Sequence, residues 1–142
     1  MSRAVEIARS WIGTPYLHQA SVRGAGADCL GLVRGVWREL RGAEPVAVPP
    51  YTPDWDETRA EEALWRAAKA HLAPRAVAEP GDVLLFRMRE GAVAKHLGLL
   101  SEAGAAPRFI HAYRGHGVVE NSLSAPWGRR VVAVFAFPEG AT

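Results

Sequence analysis

A single cysteine stands among the chain's 142 residues, so no disulfide can form within it. That thiol is either a small buried hydrophobe or a reactive group, and its count alone leaves the redox compartment open. No stretch approaches the roughly 20 consecutive apolar residues of a membrane-spanning helix, so no membrane insertion is expected. Runs of like charge are also missing. The formal charge is +2, spread along the chain, whereas nucleic-acid binding draws on a clustered basic stripe, so no nucleic-acid partner is expected. No Ser occupies a Gly-x-Ser-x-Gly elbow, which leaves a serine hydrolase without support. Gly24 and Gly26 follow no strand pattern, and no Lys stands where a phosphate loop needs one. At the N-terminus an uninterrupted apolar block is lacking. Instead Ala4, Ile7, Ala8, Trp11 and Ile12 fall at helical spacing, so a secretory signal is not expected.

What is present is an ordinary globular composition, with 49% apolar residues, and a length that suits one domain over residues 1–142. Ser2 can cap a first helix, which Gly13 and Pro15 end. A loop from Thr14 to Asp28 follows. Asp28 is a good N-cap for a second helix that buries Val33, Val36, Trp37 and Leu40 and stops at Gly42. Four prolines make residues 43–56 irregular. Thr58 and Glu61 form a capping box for a third helix with Leu64, Ala67, Ala68 and Leu72 on its apolar side. Beyond the turn Glu79-Pro80-Gly81-Asp82 the period changes. Strands are expected at 83–86, 96–100, 108–113, 117–122 and 131–137. Helices first and strands later indicate an α+β fold with an antiparallel sheet of about five strands.

Cys29 follows Asp28 at the expected start of the second helix. Orphan backbone N–H groups and the positive end of the helix dipole lie there. Both favour a thiolate, lower its pKa and suit a nucleophile, and the N–H groups can also hold an oxyanion. Gly31, just behind, is expected to leave room for a substrate. A structural buried cysteine is the competing reading. His96 and His111 fall on consecutive strands around the turn candidate Ala103-Gly104. A hairpin symmetric about that centre sets them directly opposite, with Cβ atoms ~5 Å apart. One imidazole can then hold the other, and a one-residue slip would separate them onto two faces. Alternatively each histidine is an ordinary satisfied side chain. A zinc site of Cys29, His96 and His111 is a further alternative, although the spacing matches no local zinc motif and one cysteine is few for a structural site. His18 lies in the loop before Cys29 and is read as lining the cleft. Trp55 and Trp127 adjoin prolines in loops, where packing or sugar stacking are both open.

The segments Gly13-Thr14-Pro15-Tyr16, Gly26-Ala27-Asp28-Cys29-Leu30-Gly31-Leu32, Pro80-Gly81-Asp82-Val83-Leu84, His96-Leu97-Gly98-Leu99-Leu100 and Phe109-Ile110-His111-Ala112 occur in that order. The set resembles the NlpC-type papain-like cysteine peptidases of bacterial cell walls, over nearly the whole chain. Tyr16-Leu17-His18-Gln19-Ala20-Ser21 together with Asp28 to Leu32 resembles the phage and gene-transfer-agent tail branch. The resemblance implies a papain-like core in which a helix bearing the cysteine packs on the sheet bearing the histidines. It implies Cys29 as nucleophile, His96 as base and His111 as the third polar residue. Tyr16 is implied near the nucleophile, and Tyr16, Asp28 and His18 are expected to make the oxyanion and substrate-binding side. Peptidoglycan stem peptide is the implied substrate, often cut between D-glutamate and a diamino acid, with no metal or organic cofactor. Leu30 departs from a family position that commonly holds Ser. The branch implies tail-tip or hub proteins as partners, and the segment from Pro45 to Trp65, with its prolines and two tryptophans, is the candidate docking surface. The protein would be made in the cytoplasm and carried on the tail of a phage-like particle.

Overall fold

The structure, a computed structural model, describes residues 2–45, 63–89 and 94–138. Helix α1 (Arg3–Ser10) begins where the Ser2 hydroxyl accepts a hydrogen bond from the Val5 N–H at 3.3 Å. Its Ala4, Ile7 and Ala8 are buried, and Trp11 follows at its end. The loop to Asp28 carries a small ladder that the sequence pattern did not reveal. Strand β1 (Ser21–Val22) pairs antiparallel with β2 (Gly26–Ala27). Helix α2 (Cys29–Arg41) then runs from its Asp28 cap to Gly42 (φ +91°). Two of its glycines permit close packing. A Cβ on Gly35 would overlap the Trp11 ring, and one on Gly31 would overlap the Ala20 carbonyl. The space behind Cys29 is therefore filled by the chain's own backbone and is not left for a substrate.

Helix α3 (Ala63–His71) buries Leu64 and Ala68, while Ala67 faces solvent instead of joining the apolar side. The capping-box residues Thr58 and Glu61 and most of the segment from Pro45 to Trp65 lie outside the described residues. The rest of the chain forms β3 (Ala73–Pro74), β4 (Val83–Phe86), β5 (His96–Glu102), β6 (Arg108–Tyr113), β7 (Gly117–Ser122), the single turn α4 (Ala125–Gly128) and β8 (Val131–Ala136). The order β3-β8-β4-β5-β6-β7 makes one antiparallel sheet of six strands. The expected α+β class holds, with the two-residue edge strand β3 added to the five anticipated.

The sheet is covered on both faces. Leu85, Leu97, Leu99 and Ile110 pack with Ile7, Leu32 and Val36 of the helices. On the opposite face Leu84, Phe86, Leu100 and Phe109 pack with Leu123, Met88 and Trp127. All four β4 residues are buried, which is why Val83-Leu84-Leu85-Phe86 is continuously apolar instead of alternating. Each fully buried phenylalanine there contributes roughly 1.5–3 kcal/mol of transfer free energy.

The β5–β6 hairpin differs from the symmetric one expected. Leu99 pairs with Ile110 and Leu100 with Phe109, while a bulge between Leu100 and Glu102 shifts the register. His111 thus comes across from Gly98, two positions along from His96. An even offset keeps both histidines on one face, so the displacement does not separate them. Gly98 makes the diagonal contact possible. A Cβ there would stand 3.0 Å from Phe109 Cδ2 and 3.3 Å from His111 Cβ, crowding the ring that reaches toward His96.

Candidate active site

Asp28 organises the start of α2. Its carboxylate accepts the Gly31 N–H through Oδ1 and the Gln19 N–H through Oδ2, both at 2.8 Å. Gln19 has φ +66°, a left-handed conformation that a non-glycine residue adopts at some cost, and the Asp28 bond holds it there. His18 Nδ1 lies 3.8 Å from the same Oδ2. The loop is thereby tied to the helix end, and Cys29 is presented as the first helical residue.

Cys29 is partly buried among the core residues beneath α2. Its Sγ lies 3.9 Å from the Lys95 carbonyl oxygen, and the Leu97 N–H points at it from the other side of His96. The pairing of β5 with β6 ends at Leu99–Ile110, and the thiol meets β5 beyond that last pair. Burial pushes the thiol from its ordinary 9.0 up to about 12, and the Asp28 charge adds to this. N–H groups of Leu97, Leu30 and Cys29 pull the other way without prevailing. The lowered thiol pKa expected from the helix terminus is thus reversed, because desolvation outweighs the orphan N–H groups.

His96 and His111 are 8% and 0% exposed. They share the sheet face with Phe86 and Phe109, whose rings lie 5.4 Å from His96 and 4.2 Å from His111. His96 Nε2 is 2.8 Å from His111 Nδ1, and His111 Nε2 is 2.8 Å from Asn121 Oδ1. Burial lowers the His96 pKa from 6.5 to about 3, with the neighbouring His111 contributing in the same direction. Burial also lowers that of His111, opposed by the Asn121 bond. Both imidazoles are therefore neutral through the physiological range.

Tyr16 is half-buried beside this centre. Its hydroxyl pKa is raised by burial, then by Cys29 and Asp28, and the Arg114 guanidinium stands 6.0 Å from its ring. Among the described residues, no cluster of three His, Cys, Asp or Glu is arranged to hold a metal ion. Nor is any described helix long and apolar enough to cross a membrane. Of the two readings open for Trp127, packing or sugar stacking, the structure shows packing, while Asn121 went unread in the sequence. Trp127 sits on the histidine face, edge-on to His111 at 5.0 Å and 5.9 Å from His96, so packing accounts for it. Asn121 gave no signal beyond lying on the expected strand 117–122.

The family model described as the NlpC/P60 family matches residues 13–136. The chain belongs to the NlpC/P60 family. It is similar to the gamma-DL-glutamyl hydrolase of Bacillus subtilis (strain 168), with 31% identity over 134 residues, 94% of this chain and 28% of that protein. The chain thus spans little more than a quarter of the length of the curated relative it matches. Solved NlpC/P60 structures share the fold. The NlpC/p60 domain of the peptidoglycan hydrolase SagA has a TM-score of 0.63 at 21% identity, covering 94% of this chain and 96% of that one. A protein from Staphylococcus aureus subsp. aureus Mu50, described as similar to lipoprotein of the NLP/P60 family, has a TM-score of 0.61 at 19% identity, covering 96% and 42%. For NlpC1 from Trichomonas vaginalis the TM-score is 0.56 at 20% identity, covering 95% and 42%.

The lowered histidine pKa values fix how stability depends on pH in this NlpC/P60 domain. Above about pH 6.5 neither the native nor the unfolded chain protonates these imidazoles, and their contribution is fully present. As the pH falls from 6.5 toward about 3, the unfolded chain takes up protons that the native site refuses. Stability drops in that window by at most ~1.4 kcal/mol per pH unit from His96, and the lowered pKa of His111 adds a loss of the same sign below 6.5. Urea midpoints measured across the window should fall more steeply for the parent than for His96→Gln. Equal slopes would count against the buried neutral pair.

Proposed function

We propose that this chain is a cysteine peptidase acting on peptidoglycan stem peptides, with residues 1–142 as one peptidase domain. The observation that carries the reading is the Cys29 thiol at a helix N-terminus, set against the strand backbone on both sides of His96, whose ring contacts His111. His96 Nε2 is engaged by His111, which leaves Nδ1 as the nitrogen that can act on the thiol. In the first half-reaction Sγ bonds to the peptide carbonyl carbon, the thiol proton passes to His96 Nδ1, and the carbonyl π electrons move to oxygen. The Cys29 N–H and the Tyr16 hydroxyl face that oxyanion. The C–N bond then breaks as His96 returns the proton to the leaving amine. Water adds to the thioester carbonyl with one proton taken by His96, the C–S bond breaks as that proton returns to the sulfur, and the carboxylic acid product releases its remaining proton to solvent. His111 orients the base, Asp28 holds the loop and helix start together, and His18 lines the cleft. These steps call for no metal or organic cofactor.

The names of the Bacillus subtilis relative and of SagA support a glutamyl bond in the cell wall as the target. We place the cleavage between D-glutamate and the diamino acid. Purified peptidoglycan should release fragments ending in glutamate, identified by mass. Cys29→Ala should lower the rate ~10³-fold or more, with His96→Ala nearly as severe and His111→Ala milder. Near-parental hydrolysis by Cys29→Ala would remove this residue from the mechanism.

The delivery proposed is on the tail of a phage-like particle, through tail-tip or hub proteins, so that the wall is opened locally for DNA passage. Support comes from the likeness of residues 16–21 and 28–32 to the tail branch. Fractionation of purified particles should recover the chain with the tails. Its presence only as free protein would overturn this delivery and leave the peptidase reading intact.

A further inference from the structure

The contact between the two histidines is directional, and its direction has to be set by something. A neutral imidazole carries one N–H, so each nitrogen is either donor or acceptor. We propose that Asn121 is a positioning residue whose carbonyl oxygen fixes the tautomers of both His111 and His96 and so keeps His96 Nδ1 free to accept the thiol proton. The inference rests on the peptidase reading for its consequence, but its geometry stands apart from any substrate.

With the Asn121 amide oxygen turned toward His111, the chain of hydrogen bonds has one consistent arrangement. Asn121 Oδ1 can only accept, so His111 Nε2, 2.8 Å away, carries the proton. His111 Nδ1 then holds a lone pair and must accept at 2.8 Å from His96 Nε2, which therefore carries its own proton. What remains on His96 is a lone pair at Nδ1. If a donor stood in place of Oδ1, every step would invert. His111 would carry its proton on Nδ1, His96 Nε2 would accept it, and His96 Nδ1 would already be protonated and useless as a base. No nitrogen in the relay needs a charge, which agrees with a buried and desolvated pair. The steric frame admits little else. The Phe109 ring lies 4.2 Å from His111, Trp127 stands edge-on at 5.0 Å and Tyr113 stacks at 5.4 Å. These apolar or parallel contacts hold the ring plane but cannot choose which nitrogen is protonated, so the choice falls to Asn121. This residue lies on β7, the edge strand of the sheet, opposite Phe109, and is itself exposed. Substitutions there do not have to fit a closed core.

Nitrogen spectra of the 15N-labelled imidazoles read the tautomers directly. The parent should show protonated Nε2 at both His96 and His111 near neutral pH. Asn121→Gln and Asn121→Ser, which can still accept, should keep those tautomers and lose no more than ~10-fold in kcat. Asn121→Ala should lower kcat by ~10- to 100-fold, the range seen when an orienting partner is removed. Asn121→Lys offers donors alone; it should move the His96 proton to Nδ1 and lower kcat by at least ~10²-fold, because a wrongly protonated base is worse than a loosely held one. A parent spectrum with a protonated Nδ1 at either histidine overturns the proposal without any variant. So does a Lys variant that keeps both tautomers and the parental rate. The expected tautomers in a chain that cleaves no peptidoglycan would sustain the relay and refute the enzymatic reading.

Discussion

Burial of the His96 imidazole and partial burial of the Cys29 thiol are the constraint on which the candidate site depends. A thiolate and an imidazolium are each costly to bury, and the surroundings give neither enough compensation. Three N–H groups face the sulfur, yet the thiol stays protonated because the adjoining Asp28 charge works with burial against the anion. Among the described residues no carboxylate contributes to the His96 pKa. Its hydrogen-bonding neighbour is another neutral ring, which cannot repay the cost of a charge. The resting centre is therefore an uncharged acid beside an uncharged base. In the proposed mechanism the proton would move as the sulfur attacks, when a developing oxyanion would give the backbone N–H groups something further to stabilise.

Much of the fold serves to place these two groups. Asp28 works twice, capping α2 and fastening the preceding loop, so that the same carboxylate that presents Cys29 also disfavours its anion. The cysteine packs with the helices on one face of the sheet and the histidines with Phe86 and Phe109 on the other. They approach each other only at the end of β5, beyond the last pairing with β6. The shifted register sets His111 across from Gly98, whose missing side chain lets the ring reach diagonally to His96 at hydrogen-bonding distance.

The parts of this arrangement that depend on neighbouring residues in sequence were legible there. Ser2, Asp28 and Gly42 mark helix ends through their own backbone and side-chain chemistry, and they fall where caps belong. The strands from 83 to 136 followed from period and turn residues, and the order of motifs pointed to the family. What escaped the sequence was set by contacts between distant segments. The bulge after Leu100 fixes a register that turn symmetry could not give. Gly31 looked like room for a substrate, but the Ala20 backbone occupies that room. Trp127 and Asn121 join the histidines only because α4 and β7 return to the same face. The thiol pKa was misread because a helix terminus is visible in sequence and desolvation is not.

Thiolate absorbance near 240 nm, compared between the parent and Cys29→Ser across a pH series, tests the uncharged resting pair most directly. The account predicts no thiolate difference at neutral pH, with the signal rising only in strongly alkaline solution, above the ordinary thiol value of 9.0. A thiolate signal already present at neutral pH, and lost only on acidification, would contradict it.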